Sequence, residues 1–291
     1  MCHKDHFIGG SVKKYLLVLC LMCLTISGCT SKFAYNNIDW LMYWYIDNYI
    51  DLDKQQKSAL DPKVQQWLVW HRSEQLQQYR AQLHTLKQQI SAGVVTPGQW
   101  LTHMDGAKQH WASLRDEVSP GLVSLVPQLS DEQINTLFDT LEEKNRDRIE
   151  ELEEKTAQQR RVMQVDDIQQ QAREFMGKLT SQQNELIENY VQRFESNVEL
   201  WIDYRRDIQG DARILILQHR HEVDFQTKLI DLMAHPENYQ AAAFRQKSAL
   251  NRQLYSELLA VLSQSLSQKQ RAKVIKELQD IIDDITDLIE Y

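Results

Sequence analysis

Residues 266–290 read LSQKQRAKVIKELQDIIDDITDLIE, and this stretch decides the fold class. Val274, Leu278, Ile281, Ile285 and Leu288 recur at steps of three and four, the spacing that puts side chains on one face of an α-helix. The opening Leu266-Ser267-Gln268-Lys269-Gln270 supplies the start signal. A serine hydroxyl can accept from an orphan backbone N–H of the first turn. The glutamine three residues on can reach back to the serine N–H, and the preceding leucine can staple onto the helix. Four more stretches repeat the pattern of aliphatic residue, Ser/Thr/Asp and Gln three residues later: Leu52-Asp53 to Gln56, Val95-Thr96 to Gln99, Leu129-Ser130 to Gln133, and Leu179-Thr180 to Gln183. Their intervals are irregular, so they punctuate helices rather than mark a solenoid repeat.

The same period runs through Leu76, Tyr79, Leu83, Leu86 and Ile90, and through Ile187, Tyr190, Phe194, Val198 and Trp201. Beyond residue 28 the chain holds six glycines and five prolines, too few breakers for frequent turns. Pro62, Pro97, Pro120, Pro127 and Pro236 are read as helix starts or connectors. No strand-length alternation of period two competes. The expected fold is all-α: a multi-helix bundle or elongated helical array with long antiparallel, coiled-coil-like helices, forming a single domain over 35–291.

Asn36 to Ile50 is the most unusual segment, with Trp40, Tyr43, Trp44, Tyr45 and Tyr49 in about four turns. On a helix, Ile38, Leu41, Met42, Tyr45 and Tyr49 share one face and Trp40 with Trp44 another, so the segment is apolar nearly all round. Such a helix is either buried or binds something. The favoured reading is the central core helix, because Asp39, Asp47 and Asp51 suit an anionic surface poorly. The alternative is an aromatic segment at a membrane interface or under a partner helix, with Trp40, Tyr43 and Trp44 as contact residues.

The N-terminus carries an address. Lys13 and Lys14 precede an apolar run from Tyr15 to Ile26, about a dozen residues where a span needs roughly 20. Ile26-Ser27-Gly28-Cys29 resembles the lipobox of bacterial lipoproteins. That resemblance implies a signal peptide cleaved after residue 28, lipid (palmitate among the acyl chains) on Cys29, and a tether over 29–34. Thr30, standing where an aspartate would favour inner-membrane retention, implies the periplasmic face of the outer membrane. A start at Val12 would give a more usual Val-Lys-Lys opening. Cleavage removes Cys2, Cys20 and Cys23, leaving Cys29 as the only cysteine. A body without other thiols suits an oxidising compartment and has no cysteine nucleophile or thiolate metal site. The formal charge moves from −8 to −10, with 30 basic against 40 acidic residues. Phosphate backbones should repel such a body, so no nucleic-acid partner is expected.

No catalytic constellation stands out, and the chain is expected not to be an enzyme. His219 and His221 fall on different helix faces beside Glu222, without a His-Glu-x-x-His pattern; no metal and no cofactor are expected. His103 and His110, two turns apart, are expected on a partly exposed face, and His71 beside Arg72 and Glu74 as a hydrogen-bonded group. Glu142 with Arg146 and Glu151 with Lys155 have the order and spacing of helical ion pairs. Tyr204-Arg205-Arg206 with Arg213 and Arg220 is the most basic patch of the latter half. Internal salt bridges are the favoured role, and Arg205 and Arg206 are candidates for gripping a carboxylate-bearing partner.

Two resemblances bear on function. Leu179-Thr180-x-x-Gln183 matches the Leu-Thr-x-x-Gln motif of the Spy and CpxP family of periplasmic helical stress proteins. There the motif opens helices of a cradle-like hairpin dimer that holds unfolded clients or sensor proteins; this chain is about twice as long, acidic and lipid-anchored. The opening Tyr35-Asn36-Asn37-Ile38-Asp39-Trp40-Leu41, with Tyr49-Ile50-Asp51-Leu52-Asp53-x-x-Gln56, Trp70-His71-Arg72 and Tyr79, resembles an uncharacterised family of proteobacterial lipoproteins carried as a domain of unknown function. That implies a lipobox and a helical body and supplies no catalytic residue. The expected function is a tethered, non-enzymatic envelope protein that engages a membrane through Cys29 and an envelope protein partner. The alternatives are a chaperone-like binder and a cell-wall enzyme using Glu222 or Glu188 in a cleft. The residues carry no signal for oligomeric state.

Overall fold

The computed structural model describes Tyr35 and residues 37–290. The expected signal segment 1–28 and tether 29–34, with Cys29 and the Val12 start, lie outside the described residues. The fold is all-α, 84% helical, with no strand among the described residues. In chain order the helices are α1 Ile38–Ile46, α2 Lys54–Trp70, α3 Leu76–Ala92, α4 Pro97–Val123, α5 Asp131–Glu153, α6 Ala157–Met176, α7 Ser181–Val191, α8 Val198–His219, α9 Phe225–Ala234, α10 Ala242–Gln264 and α11 Gln268–Glu290. A five-residue π-helical turn, His71–Gln75, joins α2 to α3, so the chain stays helical from Lys54 to Ala92.

All five capping boxes form. Asp53, Thr96, Ser130 and Thr180 each accept from the N–H of the glutamine three residues on, while that glutamine accepts from the cap N–H. Ser267 and Gln270 do the same, at 3.0 and 3.2 Å. A sixth box, Thr156 with Gln159, opens α6. It escaped the sequence pattern because Lys155 stands where the others have an aliphatic residue.

The boxes also do something the sequence does not announce. Gln56 and Gln133 donate to each other's side-chain carbonyls at 2.9 and 2.8 Å, clasping the starts of α2 and α5. Gln183 and Gln270 clasp α7 and α11 in the same way, at 3.1 and 2.9 Å. Spare amide hydrogens go to loop carbonyls: Gln56 to Gln128, Gln133 to Asp51, Gln270 to Lys178. These amides are satisfied in the interior, where an unmet polar group would be costly.

Packing follows the apolar stripes. α11 lies antiparallel to α3, with Leu76 meeting Ile281, Ile285 and Leu288 at one end. At the other end Arg271 donates to the Ile90 and Gly93 carbonyls, both at 2.6 Å, which caps the C-terminus of α3 with a cation. Ile187, Val191, Leu258 and Leu262 extend this core into α7 and α10. A separate core joins Val123, Ile134, Phe138, Ile216 and Leu229 from α4, α5, α8 and α9. The 27-residue α4, about 40 Å long, runs between the two. It lies close to its neighbours at two glycines. A Cβ on Gly106 would meet the Gln82 carbonyl oxygen at 2.5 Å, and one on Gly121 would meet the Trp67 ring at 2.6 Å.

Two proline readings need correction. Pro62 lies inside α2 and Pro120 in the last turn of α4, rather than at helix starts. Each removes a backbone donor to the residue four before it, Ser58 or Asp116. Those residues and both prolines are exposed, so the freed carbonyls turn toward water. Pro97 occupies the first turn of α4, and Pro127 and Pro236 sit in short 3₁₀ turns, as expected of connectors.

Candidate functional site

Within the aromatic segment, Ile38–Ile46 folds as the nine-residue α1, and none of these nine residues is buried. The core-helix reading is therefore wrong: the other helices close both cores without it, and α1 rests on the outside. Its inner edge is held by polar contacts from tyrosines. The Tyr43 hydroxyl reaches the Lys57 carbonyl at 3.1 Å and Asp61 Oδ1 at 2.5 Å on α2. Burial, with the Asp61 carboxylate next, drives its pKa well up. Tyr45 and Tyr49 pack 5.2 Å apart with hydroxyls 3.1 Å from one another. Lys144 of α5 sits 5.0 Å over the Tyr49 ring. Trp40 and Trp44, four residues apart and so on one side of the helix, point outward and are 64% and 62% exposed.

Beside α1 opens a cleft of about 490 Å³. Tyr35 and Asp39 wall it on one side and Leu68, Val69 and Arg72 of α2 and the π turn on the other, with Ile289 near the end of α11 also lining it. The Arg72 guanidinium lies 5.3 Å over the Tyr35 ring. Burial raises the Tyr35 pKa against the opposing pull of Arg72. Behind the cleft His71 opens the π turn and pairs Nδ1 with the Tyr35 hydroxyl at 3.0 Å. Burial pushes the His71 pKa down to about 4, so the ring is neutral and accepts from the tyrosine. π turns inside α-helices are rare and often mark functional positions.

From His71 a chain of rings and amides runs between α3 and α4. Tyr79 meets His71 and His110 edge-on at 5.5 and 4.6 Å. Gln82 donates to the His103 carbonyl at 2.9 Å, which turns its oxygen toward His110 Nε2 at 2.7 Å. His110 must therefore carry its proton on Nε2. His103 Nε2 meets Gln89 Oε1 at 2.9 Å. The expectation that His103 and His110 share a partly exposed face does not hold for His103, which is buried; both rings turn into the seam with α3, and burial lowers both pKa values.

The basic patch divides. Arg206 pairs with Glu142, Arg213 with Asp139 at 2.8 Å, and Arg220 with Asp131 at 2.7 Å. Spaced seven residues apart, Arg206 and Arg213 on α8 and Arg220 just past its end zip it antiparallel to α5, so Glu142 pairs across the helices rather than with Arg146. Glu151 and Lys155 form the expected i to i+4 pair at 3.7 Å. Arg205 turns the other way, 4.7 Å over the Trp201 ring and close enough to Tyr49 and Tyr45 to feel their hydroxyls. Burial lowers its pKa. Of the five candidate contact residues, Trp40 and Trp44 face solvent, Tyr43 and Arg205 brace α1, and Arg206 belongs to the α5–α8 seam.

Glu222 and Glu188 are exposed and neither lines the cleft. His219 and Lys228 hold the Glu222 carboxyl below the usual range, the wrong direction for a general acid. Among the described residues no group of three or more His, Cys, Asp or Glu could hold a metal, and no helix is long and apolar enough to cross a membrane. Sequence reading missed the cleft itself. The polar run His71-Arg72-Ser73-Glu74-Gln75 in the middle of a helix was the available signal.

A family model matches residues 48–245, more than half of the chain. The chain belongs to DUF6279, a family of unknown function. The match takes in α2, the π turn with His71 and Arg72, and the α3–α4 seam; α1 and most of α10 and α11 lie outside it. No match is found among curated proteins or among solved structures.

Proposed function

We propose that this protein is a lipid-anchored, non-enzymatic helical protein of the bacterial envelope, tethered through Cys29 to the periplasmic face of the outer membrane, where it engages another envelope protein through the cleft beside α1. The lipobox-like Ile26-Ser27-Gly28-Cys29 supports the tether, and the acidic body without other cysteines suits the compartment. One structural observation carries the interaction reading. Tyr35, six residues past Cys29, walls an open cleft whose other wall is the end of α2 with the π turn, and the exposed aromatic helix α1 stands at its rim. The binding features thus cluster where the tether enters the fold. Apolar Leu68 and Val69 beside charged Asp39 and Arg72 suit an amphipathic peptide segment.

In-cell photocrosslinking from position 69, combined with membrane fractionation, tests this. Wild type should float with the outer membrane and give one defined adduct that Cys29→Ala and Arg72→Glu both weaken. A Cys29→Ala chain that remains membrane-bound, or an adduct unchanged by Arg72→Glu, would count against the reading.

A further inference from the structure

We infer that the outward edge of α1, Trp40 with Trp44, docks on the lipid bilayer itself rather than on a protein, and holds the cleft at a set height above the membrane. The inference rests on the tether reading and names what covers the most exposed tryptophans among the described residues. Ile38 stands nine positions after Cys29, a stretch that reaches at most about 30 Å. A lipid on Cys29 therefore keeps α1 within reach of the headgroups at all times.

The two indoles are the right chemistry. Each has a large apolar body and one N–H, the combination that settles at headgroup depth. They lie one turn apart on a helix that the Tyr43 hydroxyl ties to α2, and Tyr49, three residues past the end of that helix, sits under Lys144. The fold thus presents both indoles on the outward side of α1. Charge decides the kind of lipid. α1 holds Asp39 and no Lys or Arg; Asp39 lines the cleft, and Asp47, just past the helix, is paired with Lys57 at 3.3 Å. Among the described residues the Trp40–Trp44 edge carries no cation to attract anionic headgroups, so the surface fits a zwitterionic bilayer and binds through apolar contact.

Cys29 is the only cysteine beyond residue 28, so the mature chain can be coupled through it to a maleimide lipid in phosphatidylcholine vesicles. This reproduces the tether whether or not the cell adds one. With brominated phosphatidylcholine, part of the tryptophan fluorescence should be quenched. Trp40→Ala with Trp44→Ala should abolish that quenched part, whereas Trp111→Ala, also at an exposed site, should retain it. Added phosphatidylglycerol should not increase the quenching. No quenching, quenching unchanged in the double variant, or quenching that requires phosphatidylglycerol would overturn the inference. So would a photocrosslinker at position 44 that captures a protein in cells in place of lipid. A failed tether would appear separately, as an unlipidated Cys29 in the native protein.

Discussion

Gln183 and Gln270 face one another in the interior, each side-chain amide donating to the other's carbonyl while each carbonyl also accepts from the cap of its own helix. Two hydrogen bonds, at 3.1 and 2.9 Å, thus tie the starts of α7 and α11 together, and two cap bonds at 3.0 Å hold each glutamine to its own helix. Gln183→Ala breaks the box and leaves the Gln270 amide short of a partner, so it should destabilise by roughly 2–4 kcal/mol. Gln99→Ala removes the same capping contact at an exposed box without a clasp, and should cost about 1 kcal/mol or less. Urea unfolding of both variants reads the difference, and a double-mutant cycle on Gln183 and Gln270 should show strong coupling.

Glycine substitutions on two long helices should have opposite signs. Gly121→Ala drives a methyl into the Trp67 ring at the α2–α4 crossing, and should destabilise by about 1–3 kcal/mol. Gly210 on α8 has nothing within 4 Å of an added Cβ, so Gly210→Ala should stabilise by up to about 1 kcal/mol. Thermal melts of the two variants check the pair.

Acid should weaken the fold in a defined window. His71, His103 and His110 are held neutral by burial, with folded pKa values below the ordinary one. Below about pH 6.5 the unfolded chain takes up protons that the folded chain refuses. Stability is therefore full above that pH and declines as pH falls toward about 4, where His71 itself protonates. His71 alone contributes on the order of 3 kcal/mol to this decline. Denaturant midpoints between pH 7.5 and 4 should show the slope, and His71→Gln should flatten it. A midpoint that stays level across the window would contradict neutral burial.

Breaking the α5–α8 zipper should matter little at any single site. Arg213 and Asp139 are substantially exposed, and Arg213→Ala should cost about 1 kcal/mol or less, decreasing with added salt. A loss of several kcal/mol would show that the pair is more deeply desolvated than its exposure indicates.

The helices were legible because local rules govern them: the 3.6-residue period of Val274 to Leu288 and the five boxes needed only their own neighbourhoods. What the boxes do with one another was not, since Gln183 and Gln270 meet only through tertiary packing. The same holds for Gly106 and Gly121, whose use depends on which helix crosses them. The aromatic segment misled because its composition matches a core helix. What makes α1 a surface element is that the α3–α11 stripe and the α5–α8–α9 cluster already fill the interior. Within the candidate site, Trp40 and Trp44 could be singled out from the sequence, whereas the cleft lined by Tyr35, Val69 and Arg72 arises only when Tyr35 packs against residues more than thirty positions on.

Anchoring through Cys29 underlies both the cleft and the bilayer readings, and mass spectrometry of the N-terminal peptide of the protein purified from its own membranes decides it. The expected result is a chain beginning at Cys29 with acyl chains and a thioether-linked diacylglycerol, and accumulation of the uncleaved precursor in Cys29→Ala. An N-terminus that still carries residues 1–28, or a mature chain with Cys29 unmodified, would contradict it.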